Sequence, residues 1–215
     1  MIMKNETICK QHARTYLAFR KTVGWIGILL PFVLMFGNYF FFKDDFVLPS
    51  ISRYYYSGMH DVFVGSLCSV AAFMFFYSGY GRRDKISGIL AGFLTLGVVF
   101  FPTTPEGPLT ATGTIHYICA GLLFLLLAWM SLFCFPRKRP GVDKQGTDAI
   151  QIVCGIVMLA CIASIIFYFG FIRKIIGEDT CYVFIAETAA LFSFGISWLT
   201  EGIDLQREIS ELRET

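Results

Sequence analysis

The sequence predicts an all-α fold: a polytopic membrane protein built as a bundle of six transmembrane helices, with both termini in the cytoplasm. Hydrophobic residues make up 55% of the 215 positions and charged residues only 16%, whereas a soluble domain carries about 25% charged residues. The apolar residues form six long segments, and most basic residues fall in every second connection between them. This composition excludes a disordered chain, a nucleic-acid-binding protein and a disulfide-rich secreted module.

A spanning helix needs about 20 mostly apolar residues, and six segments reach or approach that length. They cover residues 22–42, 62–81, 86–101, 114–135, 149–171 and 180–200. The third is short and rich in glycine, and the sixth is interrupted by one acid, Glu187. We therefore predict a transmembrane domain over residues 22–203, between a cytoplasmic N-terminal segment, 1–21, and a cytoplasmic amphipathic tail, 204–215.

The distribution of charge predicts the orientation, because lysine and arginine are retained on the cytoplasmic side of a membrane. With both termini inside, 14 of the 18 basic residues lie in cytoplasmic segments. The first apolar segment is long and has no small-residue cleavage site, which indicates an anchor and not a cleaved signal peptide.

Ionisable side chains at membrane depth are costly, so each of the few in this chain is a candidate functional group. Asp61 opens the second segment, His116 lies near the start of the fourth, and Glu187 lies within the sixth. The predicted orientation puts all three in the outer half of the bundle, and we interpret Asp61, His116 and Glu187 as a candidate catalytic group. Structural roles remain open: a helix dipole favours Asp61 at an N-terminus, and either of the others can bond a neighbouring helix.

The outer connections and the end of the sixth segment add polar and aromatic groups that we interpret as ligand-binding. These candidates are Ser52, Arg53, Tyr55, His60, Glu106 and Trp198. The tyrosine run that includes Tyr55 is alternatively an interfacial aromatic belt. A serine nucleophile with His116 as its base fits the residue types, but no G-x-S-x-G turn supports it.

We predict no metal site and no cofactor. One histidine with two carboxylates is a workable ligand set for zinc or iron. The chain has only three histidines, however, and no H-E-x-x-H motif. Phosphate-binding glycine loops and nucleotide-binding motifs are also absent from the sequence.

Two patterns concern packing. Gly88 and Gly92 form a small-xxx-small pair, which lets helix backbones approach closely in lipid and favours packing inside the bundle over dimerisation. Leu205, Ile209 and Leu212 fall on one face of a helix. That face predicts a tail that lies on the membrane or on the bundle, or that contacts a partner or a second copy of the chain.

The strings PSISRYYYSGMHDVFVGS, FPTTP, IHYICAGLLF and FGISWLTEG resemble a widespread, uncharacterised family of small six-span bacterial inner-membrane proteins, over residues 48–202. The PxIS segment before the second span is also similar to the Frag1/DRAM/Sfk1 membrane proteins. The first resemblance implies a multi-pass protein of the bacterial inner membrane, and neither implies an activity. Membrane hydrolases related to alkaline ceramidases resemble the chain in the residue types Ser57, His60, Asp61 and His116, but their paired histidines on the last helix are missing here.

Three functions are compatible with these residues. The one we favour is binding or sensing of a lipid or small amphiphilic ligand in an outward-facing polar pocket, with membrane lipids as partners and no nucleic acid. The second is an intramembrane lipid hydrolase or transferase that uses the Asp/His/Glu group. The third is a proton-coupled transporter or channel with Glu187 as proton site. Against the third, the inner halves of the helices contain almost no ionisable residues, whereas a conduction path is polar on both sides.

Overall fold

The computed structural model describes residues 2–77, 79, 81–105, 107–136, 147–176 and 180–211. Within these residues every regular element is helical. The α-helices, numbered in chain order, are α1 Ile2–Gly37, α2 His60–Phe76, α3 Arg82–Phe100, α4 Ala111–Trp129, α5 Thr147–Phe167, α6 Arg173–Ile176 and α7 Tyr182–Glu211. A short 3-10 helix, Ile51–Tyr56, precedes α2; we call it the 3-10 segment.

Three of the helices end in a turn of π-helix, in which each hydrogen bond spans one residue more than in an α-helix. These turns are Asn38–Phe42 after α1, Met130–Cys134 after α4 and Tyr168–Ile172 after α5. The widened turns lengthen their helices, so the helical stretches across the predicted spans are longer than the α-helices alone.

The all-helical prediction and the membrane character are confirmed. Four helical stretches are long and apolar enough to cross a membrane, namely Ala13–Phe42, Ala111–Cys134, Thr147–Ile172 and Tyr182–Arg207. The other two predicted spans coincide with α2, which has 17 residues, and with α3, whose first four residues are charged. The count of six crossings and the orientation of the termini therefore stay predictions.

Within the described residues, the two predicted terminal segments continue α1 and α7. The boundary that we predicted near residue 22 is not marked by a break, because α1 runs without interruption from Ile2 to Gly37. The predicted tail continues α7 as far as Glu211, while Leu212 lies outside the described residues.

α7 is the central helix of the bundle: it packs along α1 on one side and along α5 on the other, while α3 lies between α2 and α4. Glycines allow the closest approaches. A Cβ atom added to Gly195 would lie 2.6 Å from the carbonyl oxygen of Gly24, and one added to Gly88 would lie 2.9 Å from the carbonyl oxygen of Met74. The predicted use of Gly88 and Gly92 inside the bundle is confirmed, since both face residues of α2 or its end.

The apolar core consists of two clusters at different heights along α7. One packs under the 3-10 segment and includes Leu34, Ile51, Tyr54 and Phe184. The other surrounds Trp198. We call the two ends of the bundle the Ser52 end, which carries the 3-10 segment, and the Arg20 end, where Trp198 lies.

Candidate functional site

The 3-10 segment is held at its N-terminus by an acid from another helix. The first N–H groups of any helix lack partners within the helix, and the residue before this one, Ser50, provides no side-chain cap. Glu187 of α7 takes that role: its Oε2 accepts a hydrogen bond from the Ile51 N–H at 2.6 Å. The backbone N–H of Ser52 also interacts with this carboxylate. Glu187 therefore fixes the segment to α7.

His116, on the second turn of α4, is 1% exposed and contacts two elements through its two ring nitrogens. Nδ1 lies 3.1 Å from the carbonyl oxygen of Val98 and 2.9 Å from that of Phe101. Carbonyl oxygens only accept, so we assign the ring proton to Nδ1. These are carbonyls at the C-terminal end of α3, which the helix itself leaves unsatisfied.

The opposite ring nitrogen faces a serine. Nε2 of His116 lies 2.9 Å from Oγ of Ser52. With the proton on Nδ1, the neutral ring presents Nε2 as an acceptor, so the Ser52 hydroxyl donates to it. The result is a buried serine–imidazole pair that spans 64 positions of sequence.

The connection between α3 and α4 is attached to the same segment by its backbone. Arg53 Nη1 donates to the carbonyl oxygen of Thr104 at 3.2 Å, and the Tyr56 hydroxyl donates to that of Thr103 at 2.7 Å. Thr110 then caps the start of α4 by accepting from the Gly113 N–H. The 3-10 segment thus joins α7, α4 and the α3–α4 connection.

Burial favours the protonated form of two phenols in this segment, those of Tyr54 and Tyr56. It raises the pKa of Tyr54 above its usual range, and the pKa of Tyr56 is raised by the same cause. The protonated Tyr54 hydroxyl accepts from the Leu48 N–H at 3.3 Å and donates to the Phe46 carbonyl at 3.4 Å. Both tyrosines act as neutral donors and do not supply charge.

Of the predicted catalytic group, the structure brings His116 and Glu187 to adjacent residues of one segment but places Asp61 elsewhere. The Asp61 side chain is fully exposed, and its Oδ1 lies 3.0 Å from Nδ1 of His60. The His60 ring in turn contacts that of Tyr55, with centroids 4.6 Å apart. Asp61, His60 and Tyr55 therefore form a surface rim beside the buried site.

One predicted ligand-binding residue, Trp198, is not part of this arrangement. Trp198 lies 11 residues beyond Glu187, about 16 Å along α7, and it packs against Phe194, Tyr77 and Phe135. Glu106 lies outside the described residues.

The Arg20 end holds buried charges that the sequence reasoning missed. Arg20 and Glu201 are both 0% exposed, with Nη2 and Oε1 3.9 Å apart. The guanidinium lies over the rings of Trp198, Tyr77 and Phe135, at 5.2, 5.3 and 5.5 Å. Asp84 and Asp204 are also buried there. These four residues lie just outside the predicted spans, so the expectation that the inner halves of the spans hold almost no ionisable residues did not take them into account.

The sequence does contain a signal for the buried polar groups of the Arg20 end, namely polar residues that recur with a helical period in α7. Ser193, Ser197, Glu201 and Asp204 recur on one face of α7 and are all buried. Ser197 also belongs to a buried network in which Ser131 Oγ lies 2.7 Å from Ser197 Oγ and Gln151 Nε2 donates to the Ser197 carbonyl at 3.0 Å. Ser131 comes from the π turn after α4, so this network joins α4, α5 and α7.

An apolar groove runs along the outside of the bundle between α1 and α2, which pack less extensively than α1 and α7. Its volume is about 290 Å³. We call it the α1–α2 groove; its lining is Thr22, Trp25, Ile26, Leu29, Leu30, Val33 and Ser66.

Comparison with protein-family models, curated proteins and solved structures finds no match to this chain. The resemblances seen in its sequence therefore stay predictions. Within the described residues, no group of three or more His, Cys, Asp or Glu side chains is placed to hold a metal ion.

Proposed function

We propose that the protein binds a lipid or another small amphiphile within the membrane, with an apolar chain in the α1–α2 groove and the polar headgroup at the Ser52 end. The groove is the observation that carries this proposal. Its lining is almost entirely apolar, and its volume of about 290 Å³ is close to that of the smallest ligand sites, about 300 Å³. The apolar lining favours a hydrocarbon chain over a polar ligand.

The groove and the polar rim share α2, and the groove also borders the apolar cluster under the 3-10 segment, which supports a single ligand that reaches both. Leu30 lines the groove and also belongs to the apolar cluster under the 3-10 segment. On α2, Ser66 of the groove follows Asp61 of the rim by five residues, about 7.5 Å along the helix axis. A chain in the groove therefore ends near polar groups that can bind a headgroup.

A photoreactive phospholipid in proteoliposomes tests the proposal. Crosslinked peptides should come from α1 and α2 at the groove. Ser66→Phe fills the groove and should reduce this crosslinking several-fold. Ser69→Phe adds the same ring on an exposed position of α2 outside the groove and should leave it unchanged. Equal crosslinking in the wild type and Ser66→Phe would contradict the proposal.

The orientation is part of the same proposal: six crossings in a bacterial inner membrane, both termini cytoplasmic and the Ser52 end outward. The bias of 14 in 18 basic residues supports it. Single cysteines introduced at Asp45 and Gly141 should react differently with a membrane-impermeant thiol reagent added outside the cell. Labelling at Asp45 alone is expected, and labelling at Gly141 alone would reverse the topology.

A further inference from the structure

We propose that Ser52 is a nucleophile with His116 as its general base, and that the protein cleaves or transfers a carboxylic ester at the Ser52 end. Three features of the site support this. The Ser52 hydroxyl donates to Nε2 of His116 at 2.9 Å, the other ring nitrogen is fixed by two carbonyls, and both residues are buried. A serine is activated when an adjacent base can take its proton and a third group orients that base.

The chemistry balances without a metal or a redox partner. Oγ of Ser52 attacks the ester carbonyl carbon as its proton passes to Nε2 of His116. The bond from that carbon to the alcohol oxygen breaks, and the alcohol leaves with the proton from Nε2. Water, or a second alcohol, then attacks the acyl-Ser52 ester by the same route, which returns the proton to Oγ.

Two different helices position the pair. α4 carries His116, while Glu187 of α7 accepts the Ile51 N–H and holds the start of the segment that carries Ser52. Glu187 is therefore a positioning residue and has no contact with the reacting atoms in this scheme. The carbonyls of Val98 and Phe101 take the orienting role, since they fix the proton on Nδ1.

Ser57, five residues further on, shows what a structural serine looks like in this region. Its Oγ donates to the Tyr54 carbonyl at 2.9 Å and accepts from the Met59 N–H at 3.1 Å. These bonds belong to the turn that leads into α2. Ser52 instead bonds an imidazole from a distant helix, so Ser57→Ala is a matched control for Ser52→Ala.

Access to Ser52 requires a local opening, because the residue is only 8% exposed. The α3–α4 connection is attached to the 3-10 segment by Arg53 and Tyr56 through the Thr104 and Thr103 carbonyls. Tyr56→Phe removes one of these bonds without touching the pair. It should raise the rate at which a reagent reaches Ser52.

A fluorophosphonate probe on the full-length protein in detergent tests the proposal. The Ser52 oxygen would bond to phosphorus, fluoride would leave, and the proton would pass to His116. Wild type and Ser57→Ala should be labelled, with the adduct on the Ser52 peptide. Ser52→Ala should not be labelled, and His116→Gln should slow labelling by about 100-fold or more, the usual contribution of a general base.

A wild type that takes no adduct, or an adduct that persists in Ser52→Ala, would overturn the proposal. Melting temperatures show whether each variant is folded. Should Ser52→Ala unfold, Ser52→Cys keeps a side chain of similar size, and His116→Gln should then slow its alkylation by iodoacetamide. The ester proposal rests on the proposed lipid binding only for its substrate class. If the fluorophosphonate labelling is absent while the lipid crosslinking is present, only the nucleophile proposal fails. If the crosslinking is absent while the labelling is present, only the lipid-binding proposal fails.

Discussion

Glu187 illustrates how a single carboxylate at membrane depth can be accounted for by the backbone that it binds. Its partner is the first N–H of the 3-10 segment, a donor that the segment cannot satisfy within itself. The sequence marked Glu187 as unusual because it interrupts an apolar segment. It did not reveal the acceptor role, which depends on a backbone group 136 positions away.

At this position we predict a clear difference between two substitutions. Glu187→Ala should lower the free energy of unfolding by about 1–3 kcal/mol, the cost of leaving a buried donor unsatisfied. Glu187→Gln keeps an oxygen acceptor and should cost less than about 1 kcal/mol. Thermal unfolding in detergent, followed by tryptophan fluorescence, measures both.

Asp61→Ala is the control for this pair. The Asp61 side chain is fully exposed, and surface substitutions usually change stability by no more than about 0.5 kcal/mol. Equal losses for Glu187→Ala and Glu187→Gln would show that the carboxylate is not acting as a hydrogen-bond acceptor for the segment.

At the scale of the helix, the α1–α7 crossing depends on the absence of two side chains. The Cβ of an alanine at Gly195 would come within 2.6 Å of the Gly24 carbonyl oxygen, so the two backbones would have to separate. We predict that Gly195→Ala destabilises the protein by about 1–3 kcal/mol, the usual cost of overpacking. The melting temperature should fall accordingly.

Gly121→Ala in α4 is the matched control. Apart from its chain neighbours and the adjacent backbone of α4, no described atom lies within 4 Å of a Cβ added there, and alanine is favoured over glycine within a helix by about 1 kcal/mol. Its melting temperature should therefore stay the same or rise. A fall equal to that of Gly195→Ala would show that close approach to a neighbouring helix does not explain the loss at Gly195.

The helices were predictable from sequence, whereas the elements between them were not. Spanning segments are encoded locally by runs of apolar residues, so each of the six predicted segments overlaps a helix. The 3-10 segment depends on bonds to Glu187, His116 and Thr104, none of which is close in sequence. His116 and Ser52 were each chosen by residue type, but their pairing required the packing of α4 against that segment.

Across the whole molecule, polar groups are buried at both ends of the bundle. The Ser52 end was anticipated because His116 and Glu187 stand out within apolar segments. The Arg20 end was not, because Arg20 and Glu201 fall just beyond the predicted spans, where charged residues are ordinarily solvated. Only the packing of α1 against α7, with Trp198 beside it, removes them from solvent.

We predict that Arg20 and Glu201 depend on each other for stability. Arg20→Met removes the guanidinium that lies 3.9 Å from the buried Glu201 carboxylate and should cost about 3–5 kcal/mol, the usual result of breaking a buried pair from one side. The double variant Arg20→Met/Glu201→Met should lose less than the sum of the two single variants. Chemical or thermal unfolding of the wild type, Arg20→Met, Glu201→Met and the double variant completes the double-mutant cycle.

The neighbouring pair of the same two helices supplies the control. Lys21 Nζ donates to Gln206 Oε1 at 2.6 Å in an exposed position. Lys21→Met should therefore cost less than about 1 kcal/mol. Additive losses in the Arg20/Glu201 cycle would show that the two buried residues are stabilised by other groups.

The close crossing of α1 and α7 at Gly24 and Gly195 divides α7 into two parts of unequal length. Glu187 lies eight residues from Gly195, about 12 Å along the axis, whereas Glu211 lies sixteen residues away on the other side, about 24 Å. If a rigid helix tilts about its crossing point, its two ends move in opposite directions, and the end that lies twice as far away moves twice as far. Were α7 to tilt as a rigid helix about this crossing, a displacement at Glu211 would therefore move Glu187 about half as far in the opposite direction.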